Sequence, residues 1–503
     1  MSAAMPDNDT EQNKPHSDCI SNDLQENMEK VQQLFSDTPD MVIRHLTIKQ
    51  SDKQALLIYI DGLNDKAAIN DDVLRPLQQE MTVGIQEIAV TIGHLEHLYD
   101  WEHVELALFQ GNSLLFINGS EHAYSLDTKG WPQRNIEDPQ LESSLKGAHQ
   151  GFLETGDLNI ALIRRYIPHR GLKIKRLTVG QRGKTTVSIL YIEDIANEKY
   201  ISKLEQRIQQ INVDAVINTG ELCEFIEDNP FSLFPQLITT ERPDTAASQL
   251  LQGRCAVVVD RSPNVLIAPV TFMSFFQNID DYSSRWTIAT FLRLLRMFAF
   301  FMAAFLPAFY ISVVSYHFEI IPLKLLLTLG ESRGQVPFPP FVEAILMEIT
   351  LELLREAGIR LPAPVGQTVG IVGGIVIGQA VVQAGLISNV MVIVVAFTAI
   401  SSFILPNYDM VAAVRLIRFI LMILASMFGF VGLVIGFMTL IGHILALKSL
   451  GTAYGSPIGP VRLADLKDTI IRVPLWLMDK RPLSSAPKQS KRQRQSRIQE
   501  DTE

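Results

Sequence analysis

The chain is expected to join a cytoplasmic α/β N-terminal region of two subdomains to an α-helical, multi-span membrane domain. Three observations predict this mixed fold class. Composition changes sharply along the 503 residues: polar, acidic and mixed in pattern to about Ser284, dominated by apolar runs from Met297 to Leu447, and basic after Lys448. From Leu361 to Tyr408 no residue carries a charge, a run far longer than the ~20 apolar residues that cross a bilayer. Within it Gly366, Gly370, Gly374 and Gly378 fall every fourth position, which clears one helix face for close approach by another helix.

These shifts divide the chain into a disordered arm (1–35), a first α/β subdomain (36–150), a second (151–284), a membrane domain (285–450) and a basic cytoplasmic tail (451–503). The arm is rich in Asn, Asp, Ser and Gln and poor in apolar residues. It has no apolar h-region, so no cleaved signal peptide is expected and the first span must target the protein. The net charge of −10 belongs to the soluble part, because from Lys448 to Glu503 eleven Lys and Arg face six Asp and Glu. Cys19, Cys223 and Cys255 lack metal or disulfide spacing and fit a reducing compartment.

In the first subdomain Ala55–Asp61 reads as a buried strand ended by Gly62, with helical pattern after Asp71. Val104–Phe109 and Ser113–Asn118 flank Gly111-Asn112 and predict a hairpin. In the second subdomain Leu172–Val179 and Thr186–Ile192 should pair across Gln181-Arg182-Gly183-Lys184. Tyr200–Gln210 is an amphipathic helix, and Cys255–Val259 and Val265–Val270 form strands around Ser262-Pro263. No internal repeat of fixed period is apparent.

Five apolar spans follow. Met297–Tyr316 contains Pro307; Val369–Leu386 and Val390–Leu405 come next, the latter ended by Pro406. Val411–Leu447 is too long for one crossing of a ~30 Å core and reads as two spans with a reversal near Gly429–Gly432. Arg285, Arg293 and Arg296 before the first span, and Lys448 after the last, place both ends on the cytoplasmic side. An even number of crossings is then required, and the helix 341–356, bracketed by Pro339-Pro340 and Gly358, is the sixth. Arg415 and Arg418 read as snorkelling anchors near a cytoplasmic end, and His317 and His443 as interface residues.

That sixth helix carries the candidate site. At 100° per residue Glu348, Glu352, Arg355 and Glu356 share one face, with Val342, Leu346, Ile349, Leu353 and Leu354 on the remainder. A carboxylate at membrane depth costs ~2.5 kcal/mol or more, so these groups must meet water, one another or a partner. Two readings stand: a pore-lining face whose carboxylates favour cations, or a helix lying flat on the membrane surface with its charges solvated. The parity of crossings favours the first. The glycine row (Gly366, Gly370, Gly374, Gly378) packs either within the subunit or against another.

The soluble part holds no P-loop, GxSxG, HExxH or Cys/His metal spacing, so no enzyme activity, cofactor or metal is expected. Arg164-Arg165 with Arg170, Lys173, Lys175 and Arg176 could bind phosphate or a partner, although a solvated strand face is the simpler account. Inverted repeats and paired broken helices, the marks of a secondary transporter, are not evident.

The run VPFPPFVEAILMEITLELLREAGIRLP (Val336–Pro362), then GQTVGIVGGIVIGQAVVQAGLIS from Gly366 and VIVVAFTAISSFILPNY (Val392–Tyr408), resembles the A subunit of GerA-type spore germinant receptors. GFLETGDLNIALIRRYI (Gly151–Ile167), ERPDTAASQLLQGRCAVVVD (Glu241–Asp260) and APVTFMSFFQNIDDY (Ala268–Tyr282) look like the family's soluble blocks. Two departures stand in soluble loops: Lys146-Gly-Ala-His-Gln150 replaces a basic, proline-containing sequence, and Arg261 stands where a glycine is common. The resemblance implies a multi-pass subunit of the spore inner membrane. It implies work beside a transporter-like B subunit and a lipoprotein C subunit, with homo-oligomers forming a nutrient-gated cation channel and no nucleic-acid partner. A scaffold that relays a sensor's state to a separate channel is the alternative.

Overall fold

The computed structural model describes residues 19–78, 88, 90–130, 142, 149–362, 365–366, 373–374 and 378–492. Gly370, part of the expected span Val369–Leu386 and part of the segment Lys146–Gln150 lie outside them. The chain forms two compact units: 1–226 with 239–267 and 486–489, and 227–238 with 268–485 and 490–503.

The first unit is built on two five-stranded sheets. β1 (Met41–Ile48), β2 (Lys53–Ile60), β3 (Leu95–Leu98), β4 (Ser113–Ile117) and β5 (Ala123–Leu126) assemble in the order β1-β2-β4-β5-β3. β6 (Leu172–Val179), β7 (Thr185–Ile192), β8 (Ile238–Thr240), β9 (Cys255–Val259) and β10 (Val265–Ala268) assemble as β6-β7-β9-β10-β8. The second order is the first with five added to each strand number. In both halves a nine-residue helix, Trp101–Phe109 or Pro243–Leu251, enters the strand that follows it through a glycine at φ near +90° (Gly111 at +87°, Gly253 at +90°). The duplication escaped the sequence because it is kept in strand order and turn geometry, while the spacing between the halves drifts.

β2 reads as an unbroken apolar run because it is buried on both faces. Leu56, Ile58 and Ile60 join a core with Val31, Phe35, Trp101 and Leu108, while Ala55 and Leu57 join another with Ile69, Val73 and Leu77. Two expectations are corrected here. Within the supposed disordered arm, Leu24–Leu34 is a helix (α1), started by Asp23 accepting from the Gln25 N–H at 2.8 Å. Its stripe of Leu24, Met28, Val31 and Phe35 covers the sheet, a helical spacing that polar composition concealed. Val104–Phe109 is part of a helix (α2, Trp101–Phe109), not a hairpin strand. Asp100 caps it by accepting from the His103 N–H at 2.9 Å, and a short apolar run alone does not separate helix from strand. The pairs β6/β7 and β9/β10 form as read. Arg261, in the β9–β10 turn, sits at φ +67°, the left-handed region that favours glycine.

The second unit is mainly helical: α3 (Trp286–Tyr316), α4 (Leu323–Arg333), α5 (Pro340–Arg360), α6 (Asn389–Ile404) and α7 (Tyr408–Ala446). α3 and α7 are long and apolar enough to cross a membrane; α6 is a shorter apolar helix. α3 runs unbroken through the buried Pro307, and α4 had no counterpart in the sequence reading. Inside α7, Gly429 leaves helical geometry at φ +57° and ψ −133°. A Cβ on Gly436 would meet Leu421 Cδ2, although fifteen residues of straight helix would hold them about 22 Å apart. The chain therefore folds back at Gly429, within the expected reversal.

Candidate functional site

α5 starts at Pro340, whose fixed φ and missing N–H suit a first helical position. Glu343, one turn in, is fully buried; it accepts from the Ser388 N–H at 2.9 Å and lies 3.3 Å from Arg333 of α4. Neither Glu343 nor Arg333 was singled out in the sequence, because Glu343 lies off the charged face. Glu348 lies 3.0 Å from Arg418 of α7, and both are buried. Glu352 pairs with Arg415 of α7 and, at 3.4 Å, with Arg355 of its own helix. The Arg355 guanidinium also stacks over the Phe403 ring at 5.4 Å. Glu356 meets Arg360 at 2.6 Å.

Glu348, Glu352, Arg355 and Glu356 all lie on α5, and Glu348 and Glu352 take partners from α7. Arg415 and Arg418 are corrected from snorkelling anchors to ion-pair partners within the chain, because the first half of α7 packs against α5. Four carboxylates (Glu343, Glu348, Glu352, Glu356) meet five guanidiniums (Arg333, Arg355, Arg360, Arg415, Arg418). Exposure rises along the face, from 2% for the Glu348 side chain to 42% for Glu352 and 56% for Glu356. In the glycine row, a Cβ on Gly366 would lie 2.6 Å from the Gly358 carbonyl oxygen, so that glycine serves a contact within the chain. Gly374 and Gly378 face nothing within 4 Å among the described residues.

Two of the three arginines before the first span, Arg293 and Arg296, are equally committed. Asp281, buried, is 3.0 Å from Arg293 and 2.9 Å from Arg296, and Asp468 is 3.0 Å from Arg293. Tyr282 donates to Asp468 at 2.7 Å; burial, then the Asp468 charge, pushes its phenol upward. His443 lies 2.9 Å from Ser232 Oγ. The basic stretch of the first unit is held internally: Arg164 to Asp40 at 2.7 Å, Arg170 to Glu105 at 3.2 Å, Lys175 to Glu205 at 2.9 Å and Arg176 to Asp157 at 2.6 Å. Lys173 is buried against Ser36. Arg164, Arg170, Lys173, Lys175 and Arg176, all candidate phosphate-binding cations, therefore already hold partners in the fold.

A two-sheet α/β unit followed by helices, two of them long and apolar enough to cross a membrane, is the make-up of a membrane-associated protein. The chain matches the model of the Bacillus/Clostridium GerA spore germination protein over residues 29–484, and it belongs to that family. Spore germination protein KA of Bacillus subtilis (strain 168) is 40% identical over 491 residues, covering 96% of this chain and 90% of that protein. Spore germination protein B1 of the same organism is 38% identical over 481 residues (94% and 100%). Its membrane protein YfkQ is 39% identical over 469 residues (92% and 91%). The crystal structure of the N-terminal domain of the A subunit of the Bacillus megaterium spore germinant receptor GerK3 is 30% identical. It covers 50% of this chain and 97% of that one, with a TM-score of 0.40.

Proposed function

We propose that the chain is the A subunit of a nutrient-responsive spore germinant receptor, multi-pass in the spore inner membrane, with the N-terminal region and tail cytoplasmic. Copies oligomerise beside a transporter-like B subunit and a lipoprotein C subunit, and the assembly is a nutrient-gated cation channel. No residue takes a catalytic role. Family membership supports the receptor part. The conduit rests on one observation, the gradient of exposure on α5. Glu348 is satisfied by Arg418, whereas Glu352 and Glu356 keep open faces that lipid would not tolerate and a wet path between copies would. Gly374 and Gly378 supply the close approach of a neighbouring copy. With its carboxylates neutralised, the arrangement described is a closed one, and opening exchanges Arg415 for a permeant cation at Glu352.

The same neutralisation favours a second reading, a scaffold that relays the sensor's state to a separate channel. Purified oligomers in planar bilayers separate the two. A channel gives cation currents that Glu352→Lys blocks or reverses, with assembly intact. Silence under all conditions supports the scaffold, and parental currents in the variant remove α5 from the conduit.

A further inference from the structure

Within the second unit the basic ends of α3 and α7 enclose an apolar cavity of about 240 Å³. Every lining residue is Phe, Met, Leu, Ile or Gly. Its floor is a buried cluster of four rings, Phe234, Phe272, Phe276 and Phe300, drawn from three separate chain segments. Phe272 sits edge-on to Phe276 at 5.2 Å and to Phe300 at 5.6 Å, and Phe234 edge-on to Phe272 at 5.7 Å, spacings of favourable aromatic packing. Its mouth is formed by Phe301, Phe437, Ile441 and Leu445, all exposed on the outer faces of α3 and α7. A dry apolar cavity of ~150 Å³ already holds benzene, so this one has room for more than a single ring.

Three features of the site choose the occupant. The mouth opens on the two helices long and apolar enough to cross a membrane, so hydrocarbon is what it faces. Its depth is set by sequence: Phe301 and Phe305 follow Arg296 by five and nine positions, and Ile441 and Leu445 precede Lys448 by seven and three. At 1.5 Å per residue this lies within ~14 Å of the charged ends, the depth of one leaflet's acyl chains in a ~30 Å core. The lining offers no hydrogen-bonding side chain, which excludes a polar nutrient.

We propose that this cavity is a specific site for one acyl chain of a bilayer phospholipid, seated on the four-phenylalanine floor. It rests on α3 and α7 crossing a bilayer. The full chain is reconstituted in vesicles of phosphatidylethanolamine and phosphatidylglycerol doped with phosphatidylglycerol carrying a diazirine on its acyl chain. After illumination, adducts are mapped by mass spectrometry. Adducts on Phe272–Phe276 and Phe300 are expected, reduced at least fivefold by Ile441→Trp or Leu445→Trp at the mouth and unchanged by Ile400→Trp on the outer face of α6. Both mouth variants sit on exposed positions, and gel filtration confirms their fold. Adducts confined to outward-facing residues, or floor adducts indifferent to both plugs, overturn the site. So does a floor labelled by a small aromatic diazirine but not by the phospholipid, which assigns it to an apolar solute. A chain stripped from vesicles by alkaline carbonate fails earlier, at the membrane reading itself.

Discussion

Glu348 and Arg418, seventy positions apart in the chain, bring carboxylate and guanidinium to 3.0 Å with side chains only 2% and 3% exposed. A buried pair is costly to break from one side, because the remaining charge is left without solvent or partner. Glu348→Ala is therefore expected to destabilise the chain by ~3–5 kcal/mol, read as a lower melting temperature in detergent. The exchange Glu348→Arg with Arg418→Glu should recover at least half of that loss. An exchange no better than the single changes would show that the pair does not act as a unit.

Arg164, in the helix Gly156–Tyr166, and Asp40, directly before β1, form a buried ion pair within one unit. Arg164 Nε donates to Oδ2 at 2.7 Å and Nη2 to Oδ1 at 2.9 Å, with side chains 0% and 4% exposed. Both side chains are buried, so one without the other is a buried bare charge. We expect Asp40→Ala to cost ~3–5 kcal/mol and the double change Asp40→Leu with Arg164→Met to cost clearly less. Denaturant titration of the full chain, followed by tryptophan fluorescence near Trp101, measures both.

The fold-back at Gly429 makes a geometric prediction. Leu421→Cys and Gly436→Cys should cross-link under mild oxidation, since Leu421 Cδ2 touches the place where the Gly436 Cβ would stand. Cleavage at Met427, between the two positions, then releases fragments that stay joined until reduced. Fragments that separate without reductant would mean a continuous helix. Gly429→Val should weaken the reversal by ~1–3 kcal/mol, because its backbone region is one that side chains avoid.

Glu142 makes stability depend on pH. Burial raises its pKa from 4.5 to about 7, opposed by the hydrogen bond that Thr240 Oγ1 donates at 2.7 Å. The folded chain holds this proton where the unfolded chain has lost it, so the contribution is fully present below 4.5 and is lost as pH rises to about 7. The loss amounts to about 3 kcal/mol at most. Glu142→Gln should flatten the fall in melting temperature between those limits; an unchanged slope would assign it to other groups.

Strand and helix positions were legible where local pattern suffices. The eight-residue strands β6 and β7 pair across the tight turn read between them. The reversal in α7 was legible from length alone, since one crossing cannot use so many apolar residues. α1 and α2 were misread because composition and a glycine turn were given more weight than their capping aspartates. For α5 the charged face was visible, but its partners were not: Arg415 and Arg418 looked like anchors because a helical wheel sees one helix at a time.

Sequence by itself determined the division into an α/β part and an apolar helical part, the charged face of α5 and the family, because hydropathy, charge and motif spacing are properties of short segments. Only the tertiary structure decided that Glu348 and Glu352 are neutralised from α7, that Gly366 serves a contact within the chain, and that the two sheets share one strand order. Each depends on which distant segments are brought together. A buried charge is tolerated only if its counter-charge arrives within about 4 Å, and the packing of the helices sets that distance.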